Sequence, residues 1–452
     1  LFPDSKRATR ECLNDFIDAP DFSLDDIYNF LGTLSKEITP LQRSIYEATK
    51  NELSRRTGVI YYDCTNYYFE IEKEDNLRRY GKSKEHRPNP IVQMGMFMDA
   101  DGLPLAFCIN PGNTNEQQTM QPLEEILANE FNLSEFVVCT DAGLASIDNR
   151  IYNTSESRNY VVTQSIPQLP KLMKEWAVDK TGWKRLGDQF DHTYDISDLN
   201  LNEEKNNLYY KERWFKENRS NVKDFEERLI VTFSPKYALY QRQLRMQHID
   251  KALKMIERKS EKSRQTQQDP RWLISTAHYS DDGIVAENTV MSLDVNVIEQ
   301  EKALDGLNCM ATRLEDSVSK ILHVNGYRYE IEHLFRITKT EFDARPVYLR
   351  REDRIRAHFA ICFVALLLLK AFQRQVNEGR DETDHYSTEQ IIEALSGMDY
   401  NLARGVGYVP AYSATLLRLK CCEVAQIPID RQIVMTRKMN KIIKSLRNVI
   451  IS

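Results

Sequence analysis

Val59-Ile60-Tyr61-Tyr62-Asp63 and Phe136-Val137-Val138-Cys139-Thr140-Asp141 decide the reading of this chain: two short apolar runs, each closing on an aspartate. Runs of this length rich in Val, Ile, Tyr and Phe read as β-strands. A carboxylate at the mouth of a buried strand is costly to desolvate unless it is paired, hydrogen-bonded or bound to a cation. Taken singly, either aspartate also reads as a solvated strand end or a helix N-cap. Between them lie two more strand-like runs, Ile91 to Met98 and Leu103 to Ile109, joined by the hairpin loop Asp99-Ala100-Asp101-Gly102. Pro104 implies a late start or a free edge for the third strand. A helix is expected from Glu116 to Asn129, and a fifth strand from Tyr160 to Gln164. This order lets the first and fourth strands run side by side and parallel, which brings Asp63 and Asp141 together.

A third acid would complete a divalent-metal site for phosphodiester chemistry, in which two ions ~3.5–4 Å apart clamp the attacking and leaving oxygens. Glu332 is the best candidate. On a helix from Arg328 to Phe342, Ile331, Leu334, Phe335 and Phe342 form a buried face, and Arg328, Glu332, Arg336 and Lys339 form the stripe beside it. Glu332 then sits where such a helix meets a sheet, while Glu330 points away. The same spacing equally describes an ordinary i,i+4 charge ladder.

Working outward, the 452 residues suggest two to four structural units at roughly 100–200 residues each. A composition of 41% apolar and 28% charged residues excludes collagen-like, low-complexity and mostly disordered chains. The longest strongly apolar stretch, Phe359 to Leu369, is short of the ~20 residues that cross a bilayer, and no signal-peptide pattern opens the chain. Eight scattered cysteines without a CxxC pair point to a reducing cytoplasm rather than structural zinc. The net charge of −6 leaves any nucleic-acid contact to local patches. The chain opens at Leu1 without methionine, which reads as a fragment or a processed product lacking an upstream segment.

The expected organisation is a helical N-terminal segment over 1–56, with Ser23 as an N-cap, a core over 57–165, an insertion over 166–310, a second core part over 311–375 and a basic helical region over 376–452. The insertion carries Trp176, Trp183, Trp214 and Trp272, read as packing residues or as platforms for an unpaired base, a strand at Leu229 to Phe233 and a basic helix from Tyr240 to Lys262. The last 22 residues hold Arg431, Arg437, Lys438, Lys441, Lys444 and Arg447 and no acid, as a solvated helix face or a backbone-tracking one. Asp99 and Asp101 read as hairpin-loop residues, His358 as a core or boundary histidine, and Arg345, Arg350, Arg351, Arg354 and Arg356 as a patch that either meets phosphates or is simply solvated.

Three stretches, Tyr61-Tyr62-Asp63-Cys64-Thr65, Cys139-Thr140-Asp141-Ala142-Gly143-Leu144 and Arg328 to Lys339, resemble those of a DDE transposase of the insertion-sequence-four superfamily, nearest the branch typed by insertion sequence sixteen-thirty-four. The superfamily signature Tyr-x2-Arg-x3-Glu-x6-Lys is met by Arg328, Glu332 and Lys339; Asn325 stands at the tyrosine position, with Tyr327 nearby. The resemblance implies an α/β fold, with an RNase H-like core interrupted by a β-rich insertion and flanked by helical segments. It also implies Asp63, Asp141 and Glu332 as catalytic ligands of two Mg²⁺ ions, with Mn²⁺ as a substitute. Arg328, Arg336 and Lys339 would be DNA-binding residues. The implied activity is cutting at transposon ends and joining of the 3′-OH to target DNA, by an oligomer at least dimeric on DNA and without a membrane. Alternatives are a metal-dependent nuclease without strand transfer, or an inactive DNA-binding derivative.

Overall fold

The computed structural model describes residues 4–154, 157–190, 192–219, 222–258, 269–279, 288–427 and 433–451. The end of the expected basic helix at Lys262, and Arg431 of the basic tail, lie outside them. The chain is mixed α/β and divides into two compact units, Leu1–Asn159 with Gly326–Ser452, and Tyr160–Asn325.

The first unit opens with helices α1 (Lys6–Cys12), α2 (Leu24–Leu34) and α3 (Ile38–Glu52). Ser23 caps α2 as expected, in a reciprocal box with Asp26. Strands β1 (Val59–Tyr68), β2 (Ile91–Asp99) and β3 (Pro104–Pro111) follow, then α4 (Met120–Glu130), β4 (Phe136–Thr140) and α5 (Ile147–Tyr152). The strands lie in the order β3-β2-β1-β4. β1 pairs antiparallel with β2, and β2 with β3, whereas β1 and β4 are parallel. The expected adjacency of first and fourth strands is therefore present, and Pro104 begins β3, where its missing N–H costs least.

One strand end differs from the expectation. β1 does not close at Asp63 but runs five residues further, to Tyr68, because Cys64 to Tyr68 continue the ladder with Gly95 to Ile91. What ends near Asp63 is the pairing with β4, whose last partner is Tyr61 opposite Cys139. Gly95 serves this register: a Cβ there would fall 2.1 Å from the Tyr62 hydroxyl. The helix expected from Glu116 is split, a 3₁₀ turn at Glu116–Gln118 preceding α4.

The second unit comprises β5 (from Arg158, just before the division, to Thr163), α6 (Lys171–Val178), β6 (Lys184–Arg185), β7 (Tyr209–Arg219), β8 (Val222–Phe233), α7 (Pro235–Glu257), β9 (Ile274–Tyr279), β10 (Asn288–Leu293), α8 (Val295–Ala303), β11 (Leu307–Thr312) and α9 (Val318–Gly326). Its strands run β5-β11-β8-β7-β6, all antiparallel, with β9 and β10 as a separate hairpin. Trp183 is fully buried edge-to-face against Phe233, and Trp214 is partly exposed. The basic helix begins at Pro235, five residues earlier than expected.

The chain then returns to the first unit through α10 (Tyr329–Thr340), α11 (Glu352–Val376), α12 (Thr388–Ser396), β12 (Tyr400–Ala403), β13 (Gly407–Pro410), α13 (Leu416–Val424) and α14 (Thr436–Ile451). α11 extends well past the apolar stretch seen in the sequence, and it is long and apolar enough to cross a membrane by length and composition alone. It is instead the central helix of this unit: Ile355, Phe359, Phe363 and Leu366 are buried, and the helix packs on α2, β3 and α10.

Candidate active site

Side chains alternate along a strand, so Tyr61 and Asp63 share one face of β1, as Cys139 and Asp141 share one face of the β4 line. Since Tyr61 stands opposite Cys139, two more residues along each chain bring Asp63 and Asp141 level, just past the last paired residues. Asp63 Oδ1 accepts the Cys64 N–H at 2.7 Å. Burial pushes the Asp63 carboxyl up to about 6; Lys84 and the Cys64 N–H oppose this, while the charges of Asp141 and Glu332 add to it. The three acids of the sequence reading therefore belong to one electrostatic neighbourhood.

Asp141 leads a tightly held loop. Its Oδ1 accepts the Leu144 N–H at 3.1 Å, Asn149 Nδ2 donates to the Leu144 carbonyl at 2.9 Å, and Gln117 Nε2 donates to the Gly143 carbonyl at 3.1 Å. Ser146 caps α5 immediately afterwards. The turn at the carboxylate is thus fixed by hydrogen bonds from two helical elements.

Glu332 arrives on α10, whose buried residues Ile331, Leu334, Phe335, Ile337 and Thr338 face the core. The helix is fastened across β1 by the Tyr67 hydroxyl, 2.6 Å from Thr338 Oγ1, and by Lys339, whose ammonium lies 5.6 Å from the Tyr67 ring centre. Glu332 itself is exposed and accepts from Arg328 Nη1 at 3.0 Å, the i,i+4 ladder read in the sequence. Glu330 turns the other way, to Lys370 at 3.6 Å and His333 at 3.8 Å. Tyr327 packs on Tyr61 with ring centres 5.6 Å apart, which joins the start of α10 to β1.

The remaining sequence candidates fall into place around this frame. Arg336 is exposed on the same stripe. Lys339 is largely buried, pairs with Glu85 at 3.4 Å, and is drawn down to about 8 by burial and by the charge of Lys84. Asp101 is a loop residue bound by Arg56, as expected, whereas Asp99 is not in the loop: it is the buried last residue of β2, opposite Ile60 and bound by Arg55. Of the arginine patch, Arg345 pairs with Glu85, Arg351 with Asp353, and Arg356 with Glu352, while Arg354 covers the Tyr28 ring. His358 is deeply set, and burial pushes it down to about 3.

Sequence reasoning missed Lys84, Glu85 and Glu116. Lys84 donates to the Cys64 carbonyl and stands 3.5 Å from Glu116. The signal available was the charged run Lys82-Ser83-Lys84-Glu85-His86-Arg87, in a connection that carries no periodicity. Asn66 explains its position: the Asn66 amide donates to the Lys82 carbonyl at 3.2 Å and accepts from the Lys84 N–H at 3.3 Å, folding the run back along β1.

As donors, three carboxylates suit a hard divalent ion such as Mg²⁺ or Mn²⁺, and their mutual repulsion at Asp63 is what such an ion would relieve. Among the described residues no three Asp, Glu, His or Cys side chains converge as a ready-made metal site. The donor types fit, and Glu332 keeps Oε2 free of the Arg328 hydrogen bond, which falls on Oε1.

No curated protein matches the chain. Among solved structures, the cryo-EM structure of a piggyBac transposase synaptic complex with hairpin DNA is similar over 98% of this chain and 80% of that one, at 9% identity and a TM-score of 0.38. That likeness is too slight to bear on fold or function. The family model of the transposase DDE domain matches residues 69–368, a span that takes in Asp141, Arg328, Glu332, Arg336 and Lys339 and begins just after Asp63. With well over half of its length matched, the chain belongs to the transposase DDE domain family.

Proposed function

We propose that this transposase is a DNA-cutting and strand-transferring enzyme of the insertion-sequence-four superfamily, nearest the branch typed by insertion sequence sixteen-thirty-four, with Asp63, Asp141 and Glu332 as its acids. The observation that carries the reading is the parallel β1/β4 register, which brings the two aspartates level beside a helix bearing the spaced Arg328, Glu332 and Lys339. The strand order β3-β2-β1-β4, with only the last pair parallel, supports an RNase H-like core, and residues 166–310, most of the second compact unit, are read as its insertion. Asp63, Asp141 and Glu332 would hold Mg²⁺, which supplies Lewis-acid activation of water or a 3′-OH and stabilises the leaving oxygen.

The chain's own groups supply the rest. Arg328 and Arg336 offer planar forks to the phosphates of the scissile strand, and Lys339 a point charge. Arg328 exchanges Glu332 for phosphate as the acid turns inward. Tyr67 and Thr338 keep α10 in place while its exposed stripe does so. The basic residues of α7 and α14 track further backbone, which makes binding strongly salt-dependent. Two DNA ends are held by at least a dimer, in a cytoplasm that keeps the eight free thiols reduced.

The test is Mg²⁺-dependent cleavage of end-bearing DNA by this protein and by Glu332→Gln. Loss on the order of 10³-fold or more in the variant is expected. Equal activity in both removes Glu332 from the mechanism, and cleavage without joined products leaves a nuclease that does not transfer strands.

A further inference from the structure

A cation close to the residue after Asp63 comes from the chain itself. Lys84 reaches over β1 to the carbonyl of Cys64, the residue after Asp63, and its ammonium also stands 3.5 Å from Glu116. The run that carries it is well fixed. Besides the two Asn66 bonds, Ser83 Oγ accepts the N–H groups of Glu85 and Arg87 at 3.3 and 3.2 Å, and the Ser83 carbonyl accepts from His86. Glu116 is equally fixed, in the 3₁₀ turn whose Gln117 clamps the Asp141 loop. Lys84 therefore has two anchors, one of them on the residue next to Asp63. The charges of Asp63, Glu116 and Asp141 all favour its protonated form, against the cost of burial.

A compact ammonium point charge acts on nearby carboxylates without having to touch them. Two adjacent aspartates with only water and each other would repel strongly where the surroundings are partly apolar. We propose that Lys84 is a fixed counter-ion of this site: held on Glu116 and the Cys64 carbonyl, its charge offsets those of Asp63 and Asp141 and competes with any divalent cation they take up. The proposal rests on the reading of these acids as metal ligands. Lys84 is thus a positioning residue: its charge sets how much free metal is needed to load the two carboxylates.

Mn²⁺ binding to the full chain without DNA, followed by the electron paramagnetic resonance of free Mn²⁺, tests this apart from activity. Lys84→Met is expected to bind Mn²⁺ about fivefold to tenfold more tightly than the parent, a gain in line with losing one competing charge a few ångströms away. Lys84→Arg keeps the charge and stays within about twofold of the parent. Arg43→Met, which removes an exposed charge paired with Glu130, also changes affinity by less than about twofold. Lys84→Gln, which can still donate to the Cys64 carbonyl, serves the same purpose if Lys84→Met does not fold. Unchanged or weaker binding in the charge-removing Lys84 variants, beside parent binding that Asp63→Asn abolishes, overturns the role of Lys84 alone. Parent binding that survives Asp63→Asn, or no binding at all, overturns the metal reading and the counter-ion with it.

Discussion

Two acids in the same small sheet meet burial in opposite ways. At the β2–β3 turn, Asp99 is fully buried and fully matched: Arg55 donates to it at 2.6 Å, and the N–H groups of Asp101 and Leu103 each donate at 3.0 Å. Arg55 in turn gives three more of its hydrogens to Thr49 and to the Leu103 and Pro104 carbonyls. At the mouth between β1 and β4, Asp63 is only partly buried, has one short backbone donor, and shares its cations with other acids. The first arrangement is met by side-chain and backbone donors together, which leaves little for a ligand to satisfy. The second is under-satisfied, which is the condition for taking up a ligand.

The comparison breaks first at Arg55. Arg55→Met leaves Asp99 charged and unmatched in the core, and a loss of about 3–5 kcal/mol in chemical denaturation is expected. A loss below 1 kcal/mol would mean that the turn is no more closed than the mouth.

Glu124 sharpens the contrast, because it is a fully buried acid with a neutral partner, accepting from Asn153 Nδ2 at 3.0 Å. Burial pushes it up to about 7 from an ordinary 4.5. The folded state therefore binds this proton more tightly than the unfolded one. Its stability is fully present below about pH 4.5 and is lost as pH rises through about 7. Glu124→Gln, whose amide can donate to the otherwise unpartnered Asn153 Oδ1, is expected to stabilise by about 1–3 kcal/mol at pH 8 and by little at pH 4.5. The same gain at both pH values would show that the carboxyl is not held neutral.

The smallest effect lies at the mouth itself. Arg328→Ala removes the exposed pair to Glu332 and should cost no more than about 0.5 kcal/mol, while DNA affinity measured by fluorescence anisotropy falls and depends less steeply on salt. A stability loss above 2 kcal/mol would make this pair a structural one like Arg55 and Asp99.

Much of the frame was readable in the residues, and for physical reasons. The β1 and β4 runs are dense in Val, Ile and Tyr, the capping box at Ser23 and Asp26 is local, and the α10 stripe follows from helical periodicity. The end of β1 was not readable, because Cys64 to Tyr68 carry a mixed pattern whose pairing is decided by β2 across the sheet. Lys84 and Glu116 were out of reach for the same reason. They sit in connections, and only tertiary hydrogen bonds, from Asn66 to one and from the Asp141 loop to the turn of the other, bring them to the acids. The match of Asn325 to the signature tyrosine position was readable as a departure, and the ring of Tyr327 against Tyr61 shows what fills that corner of the first unit.

The ladder between β1 and β4 stops two residues short of each aspartate, and that small number has a consequence of its own. Side-chain direction in an extended chain depends only on whether a count is odd or even. Deleting or inserting one residue between Val137 and Asp141 would leave composition, charge and most of the core unaltered, yet would turn the carboxylate to the opposite side of the sheet, away from Asp63. Two-residue changes would preserve the facing and shift the acid by about 7 Å along the strand. The site is thus protected against most substitutions and wholly exposed to a change of parity.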